Sequence, residues 1–64
     1  MENRLKEIRE SLGMTQEQLS EKADVSRTII SGIESGRVEV TTTGTLIKLA
    51  IALNKPVSDV FFVQ

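Results

Sequence analysis

Few side chains in this chain could do covalent chemistry. There is no histidine and no cysteine among its 64 residues. Ser26 and Ser31 have hydroxyls but no evident base to activate them, and no glycine-rich loop could cradle a phosphate. The inventory does not read as an enzyme. Without soft ligands a zinc site would need several carboxylates, so no metal or cofactor is expected. Arginine and short hydroxyls remain, grouped between residues 26 and 37. At 100° per residue, Ile30, Ile33 and Glu34 fall on one side of a helix there. Thr28, Ser31, Gly32 and Ser35 fall on the other, with Arg27 at the edge. A guanidinium can bond both acceptors of a guanine edge, and such a pair discriminates bases by about 1–3 kcal/mol. It also serves simply as a solvated charge at a helix start.

These residues need helices to position them. Leu5, Ile8, Arg9 and Leu12 recur at helical spacing and predict a helix over 2–12, stopped by Gly13. Thr15-Gln16-Glu17-Gln18 fits a capping box, with a hydroxyl at the cap and an amide three residues on. It opens a short helix over 16–23, with Met14 placed to staple near Leu19. Ser26 caps a third helix over 27–35, and Gly36 ends it. The link of about three residues between the second and third helices is the length used by helix-turn-helix motifs. The β-branched run Val38 to Thr43 suits a strand, but it is short, has no evident partner and leads into a helical pattern. Thr41 or Thr42 is expected instead to cap a fourth helix over 43–53, ended by Asn54. After Pro56, Ser58 is expected to cap a last helix over 59–62. The expected architecture is all-α, five short helices in one domain over 1–64.

Charge narrows the partners. The formal net charge is −1 and the sequence pI is near 5.3. That opposes indiscriminate nucleic-acid binding, which rides on excess cations, but allows a local basic face. No apolar run approaches the ~20 residues of a membrane helix, and Met1-Glu2-Asn3-Arg4 lacks signal-peptide character. The expectation is a soluble, cytoplasmic protein.

The segment from Thr15 to Gly36 carries a resemblance. Thr15-Gln16-Glu17-Gln18-Leu19, Ala23, Val25-Ser26-Arg27, Ile30-Ser31 and Ile33-Glu34-Ser35-Gly36 together resemble the Cro/C1-type helix-turn-helix family of lambdoid phage repressors and short bacterial regulators. The likeness extends from Leu5 to Phe61. It implies a lambda-repressor-like fold, a bacterial or phage origin, and a third helix lying in the DNA major groove. Arg27 and Thr28 match positions that touch base edges in the family, and Gln16 matches one that holds a phosphate. Thr15, Ser31, Gly32 and Ser35 join the DNA-facing set, Arg37 is a further phosphate candidate, and Thr42 and Thr43 could offer hydroxyls or a helix N-terminus. The resemblance also suggests a structural Arg9–Glu34 ion pair. Ile29 is expected at the border of the buried side. Gly32 departs from the pattern, since relatives often place a base-reading side chain there. Glu39 and Val40 stand where some relatives are basic, which implies a shallow salt dependence.

A two-fold dimer would double the interface and set half-sites about one helical turn apart. Val57, Val60 and Phe61 are expected to serve the domain's own core. Lys55, Pro56, Val57, Phe62 and Val63 form the candidate dimer surface, beside a stripe of Ile47 and Ile51. The reading is a homodimeric regulator, probed against a second: a module whose main partner is another protein, antitoxin-like or adaptor.

Overall fold

Among the described residues, three hydroxyl caps and four left-handed stops mark off the helices. The computed structural model describes residues 2–37 and 42–62. In chain order it holds β1 (Glu2–Asn3), α1 (Leu5–Ser11), α2 (Gln16–Ala23), α3 (Arg27–Ser35), α4 (Thr43–Ala52), α5 (Val57–Val60) and β2 (Phe61–Phe62). The expectations for residues 38–41 and for Val63 lie outside the described residues: the rejected strand, Thr41 as a cap, Glu39 and Val40, and Val63 as an interface residue.

The caps are side-chain oxygens accepting orphan N–H groups of the first turn, which have no carbonyl partner within the helix. Thr15 Oγ1 accepts from the Gln18 N–H at 3.0 Å, and the Thr15 N–H donates to Gln18 Oε1 at 2.8 Å. Ser26 Oγ accepts from the Ile29 N–H at 3.2 Å, and Thr42 Oγ1 from the Thr45 N–H at 3.2 Å. The stops are Gly13, Asp24, Gly36 and Asn54, all at positive φ. Glycine meets no Cβ penalty there; aspartate and asparagine tolerate it through their short polar side chains.

The all-α class holds, with two corrections at the ends. Helix α1 starts at Leu5, because Glu2 and Asn3 are extended and pair antiparallel with Phe62 and Phe61. The Arg4 N–H continues the ribbon by donating to the Val60 carbonyl at 2.8 Å. Helix α5 runs Val57–Val60, with Pro56 rather than Ser58 at its N-cap. Proline fits that place since the cap's own N–H is not needed for the helix ladder. Phe61 and Phe62 leave the helix for the ribbon, and so the two ends of the domain are tied side by side.

The core gathers Leu5, Leu19, Val25, Ile30, Ile33, Leu49, Leu53, Val60 and Phe61, with Ala23, Ala50 and Ala52 filling the smaller gaps. Met14, Ile8, Ile29 and Leu46 are half-buried against it. Helix α2 packs on both α3 and α4, which fixes the helix-turn-helix pair on a rigid base. The turn between α2 and α3 is held by Ser20, whose hydroxyl donates to the Val25 carbonyl at 2.7 Å. Val57, expected in the core, is exposed instead: α5 begins there, and it is Val60 that turns inward. Leu12 lies past the end of α1 and is 50% exposed.

Candidate nucleic-acid interface

The interface is built outward from one buried ion pair. Arg9 on α1 reaches Glu34 on α3 through a fork: Nε donates to Oε2 at 2.8 Å and Nη2 to Oε1 at 3.0 Å. Arg9 Nη1 donates to the Met14 carbonyl at 2.7 Å, tying α1 to the approach to α2. The two side chains are 9% and 5% exposed, so this pair is shielded from solvent. The hydrogen bond that Arg9 donates to Glu34 raises the Arg9 pKa above its ordinary value, with desolvation opposing and Coulombic attraction to Glu34 and Glu10 adding to it. Arg9 is thus a permanent cation whose charge is neutralised locally. A bidentate guanidinium–carboxylate pair fixes orientation as well as energy.

Gln16 extends the pair to the surface. Its Nε2 donates to Glu34 Oε1 at 3.1 Å. An amide nitrogen carries two donor hydrogens, so one remains for an outside acceptor. Gln16 opens α2, and its side chain is held by α3 from behind.

Gln16, Arg27, Thr28, Ser31 and Arg37 line one open hollow of about 320 Å³. Among the described residues, no carboxylate lines it. Arg27 and Thr28 are exposed in the first turn of α3, and Ser31 is half-buried one turn on. Arg37 lies beyond Gly36 but folds back along α3: its Nε donates to Ser35 Oγ at 3.0 Å, and its Nη2 lies 3.5 Å from Ser31 Oγ. The structure therefore gathers five of the candidate residues, contributed by α2, α3 and the loop after it.

Other candidates sit elsewhere. Thr15 uses one hydroxyl lone pair and its N–H in the capping box, and lines a neighbouring hollow with Gln16 and Arg27. Gly32, expected on the open face, is buried. At 100° per residue it stands 60° from Ile29, and without a side chain its backbone lies below the level of the residues one turn away. Ile29 is half-buried at the same border. Thr42 is occupied as the α4 cap, its Oγ1 also 2.9 Å from Thr45 Oγ1. Thr42 and Thr43 do not line the hollow. Lys6 is a residue the sequence reading passed over: it is exposed on α1 and lines a hollow with Gln16, Ser31 and Ser35. The signal was its spacing, three residues before Arg9 on the helix that carries the ion pair.

For the dimer candidates, Lys55, Pro56 and Val57 are exposed and Phe62 is half-buried in β2. The largest exposed apolar groups among the described residues include Ile47 and Ile51 on α4, at 43% and 71%. Among the described residues, no helix is long and apolar enough to cross a membrane.

A short helix, a tight turn and a second helix that presents arginine and hydroxyls define the class. The helix-turn-helix family profile matches residues 5–60, from the start of α1 to the end of α5. The chain belongs to the Cro/C1-type helix-turn-helix family, whose members are DNA-binding regulators. No curated protein matches it.

Proposed function

We propose that the chain is a homodimeric, sequence-specific transcriptional repressor that lays α3 in the major groove of a two-fold operator. The observation that carries this is the hollow lined by Gln16, Arg27, Thr28, Ser31 and Arg37, which no carboxylate lines among the described residues. In a chain of net charge −1, a surface with two guanidiniums, an amide and two hydroxyls is selective for an anion edged with hydrogen-bond acceptors. The outer face of duplex DNA is that surface. Arg27, at the N-terminal end of α3, is the base reader, since that end of a recognition helix reaches deepest. Thr28 contacts a thymine methyl or a neighbouring phosphate. Gln16 holds a phosphate with its free amide hydrogen, at the N-terminus of α2 where the helix dipole favours an anion. The protein acts where its DNA is, in the cytoplasm of a bacterium.

Dimerisation uses the exposed apolar side chains Ile47 and Ile51, four residues apart on α4, and Val57 at the start of α5, together with Lys55, Pro56 and Phe62. Contiguous exposed apolar groups mark a contact with protein. The same patch favours a second reading, a module whose main partner is a different protein. In vitro selection from random duplexes separates the two. Repression predicts enriched sites that are inverted repeats with half-sites about one turn apart; no enrichment over the starting pool contradicts it and turns attention to the other partner.

A further inference from the structure

Ser31 and Ser35 stand four residues apart on α3, on one edge of the helix. Both would suit direct base reading. Their hydroxyls are engaged differently. Ser35 Oγ donates to the Gly32 carbonyl at 3.2 Å and accepts from Arg37 Nε at 3.0 Å, so its hydrogen is committed. Ser31 Oγ lies 3.5 Å from Arg37 Nη2. Gly36, at φ 80°, turns the chain back so that Arg37 lies against the last turn it has just left.

A guanidinium has two edges that can each meet a pair of acceptors, Nε with one terminal nitrogen, and the two terminal nitrogens together. Here the first edge is spent on the two serines. Neither serine occupies the second edge, Nη1 with Nη2, and Arg37 lines the hollow shared with Arg27 and Gln16. We infer that Ser31 and Ser35 are positioning residues for Arg37, and that Arg37 grips a DNA backbone phosphate with its outer edge. This rests on the DNA-binding reading above. A phosphate is favoured over a base because Arg37 follows the C-terminal end of α3, while the N-terminal end of a recognition helix reaches the base edges. Two phosphate oxygens match the fork. The serines hold the guanidinium plane before DNA arrives, so less side-chain freedom is lost on binding.

The test is a set of binding isotherms against salt, on the selected duplex and on a scrambled one, for the wild type, Arg37→Gln, the Ser31→Ala/Ser35→Ala double variant, and the triple variant. Alanine is a good helix former, so the double variant keeps α3. Arg37→Gln is expected to weaken both duplexes alike and to lower the slope of log affinity against log salt by about 0.9, one phosphate contact. The double variant is expected to keep the slope and to weaken both duplexes about two- to tenfold, the worth of the lost hydrogen bonds. With Arg37 already replaced, the serine changes should cost nothing more. An equal cost with and without Arg37 overturns the positioning role. A loss confined to the selected duplex, with sites relaxed at one base pair, overturns it too and makes the serines base readers. A second measurement needs no DNA: hydrogen exchange of the Arg37 Nε–H in the free protein should be slower in the wild type than in Ser35→Ala. Equal rates refute the positioning whatever the DNA data. A wild type that binds no duplex while the exchange difference stands would instead refute the repressor reading and the phosphate grip, leaving the serine–arginine contact intact.

Discussion

At the scale of single residues, those that hold the site are distinct from those placed to touch DNA. Glu34 belongs to the first group. Its carboxylate serves Arg9 and Gln16 together, buried between α1 and α3. Removing one partner of a buried pair leaves an uncompensated charge, at a cost of about 3–5 kcal/mol. Glu34→Ala should therefore unfold at much lower urea than the wild type, because a domain of this size has about 3–5 kcal/mol from its core in all. Replacing both partners with apolar residues, Arg9→Met with Glu34→Leu, should recover most of that stability while weakening DNA binding through a free-swinging Gln16. A double variant as unstable as Glu34→Ala would contradict this. The pH sign follows from the raised Arg9 pKa. A raised pKa gives stability that is present below the unfolded value and is lost only as pH climbs through the folded one, here above the ordinary guanidinium range. The double variant should thus match the wild type in the slope of stability against pH from about pH 7 to about pH 10.

At the scale of elements, legibility depends on how local the cause is. The bounds of α2 and α3 sit where the sequence places them, since Thr15 and Ser26 cap by reaching three residues ahead and Gly36 stops by its own φ. The β1–β2 ribbon was not legible. It joins Asn3 to Phe61, and two-residue strands leave no alternation to read. Gly32 was misplaced for a related reason: a helical wheel assigns directions to side chains, and glycine has none. Gln16 could be placed at the α2 N-terminus, but not its bond to Glu34, eighteen residues away. Two substitutions test the local devices. Thr15→Ala should lower stability by about 1 kcal/mol, the worth of an N-cap. Gly36→Ala should cost about 1–2 kcal/mol from left-handed strain alone, because an added Cβ meets nothing within 4 Å. Thermal or urea unfolding reads both. A neutral Gly36→Ala would mean that the turn relaxes out of positive φ.

At the scale of the whole molecule, the domain measures 27 × 21 × 19 Å. One such body covers only part of a helical turn of DNA, and a two-fold pair is the economical way to lengthen the site. Ile51, 71% exposed on α4, is the most exposed large apolar side chain among the described residues. Ile51→Asp should leave the fold and the unfolding midpoint of the monomer within about 0.5 kcal/mol, as for other surface changes. It should shift the sedimentation of the protein from dimer to monomer and weaken binding to a two-half-site duplex far more than to a single half-site. A wild type that sediments as a monomer at all accessible concentrations, with Ile51→Asp binding both duplexes equally well, would contradict the dimer.

The central claim is that α3 reads bases through Arg27, and fluorescence anisotropy at physiological salt tests it most directly. The wild type and Arg27→Ala are titrated with the DNA upstream of the protein's own coding sequence and with a scrambled duplex. The account predicts tight binding by the wild type to one fragment, and a loss of about 5- to 150-fold in Arg27→Ala on that fragment. Binding to scrambled DNA should change little, and the unfolding midpoint should be unaltered. Weak and equal binding to every duplex, indifferent to the substitution, would contradict it.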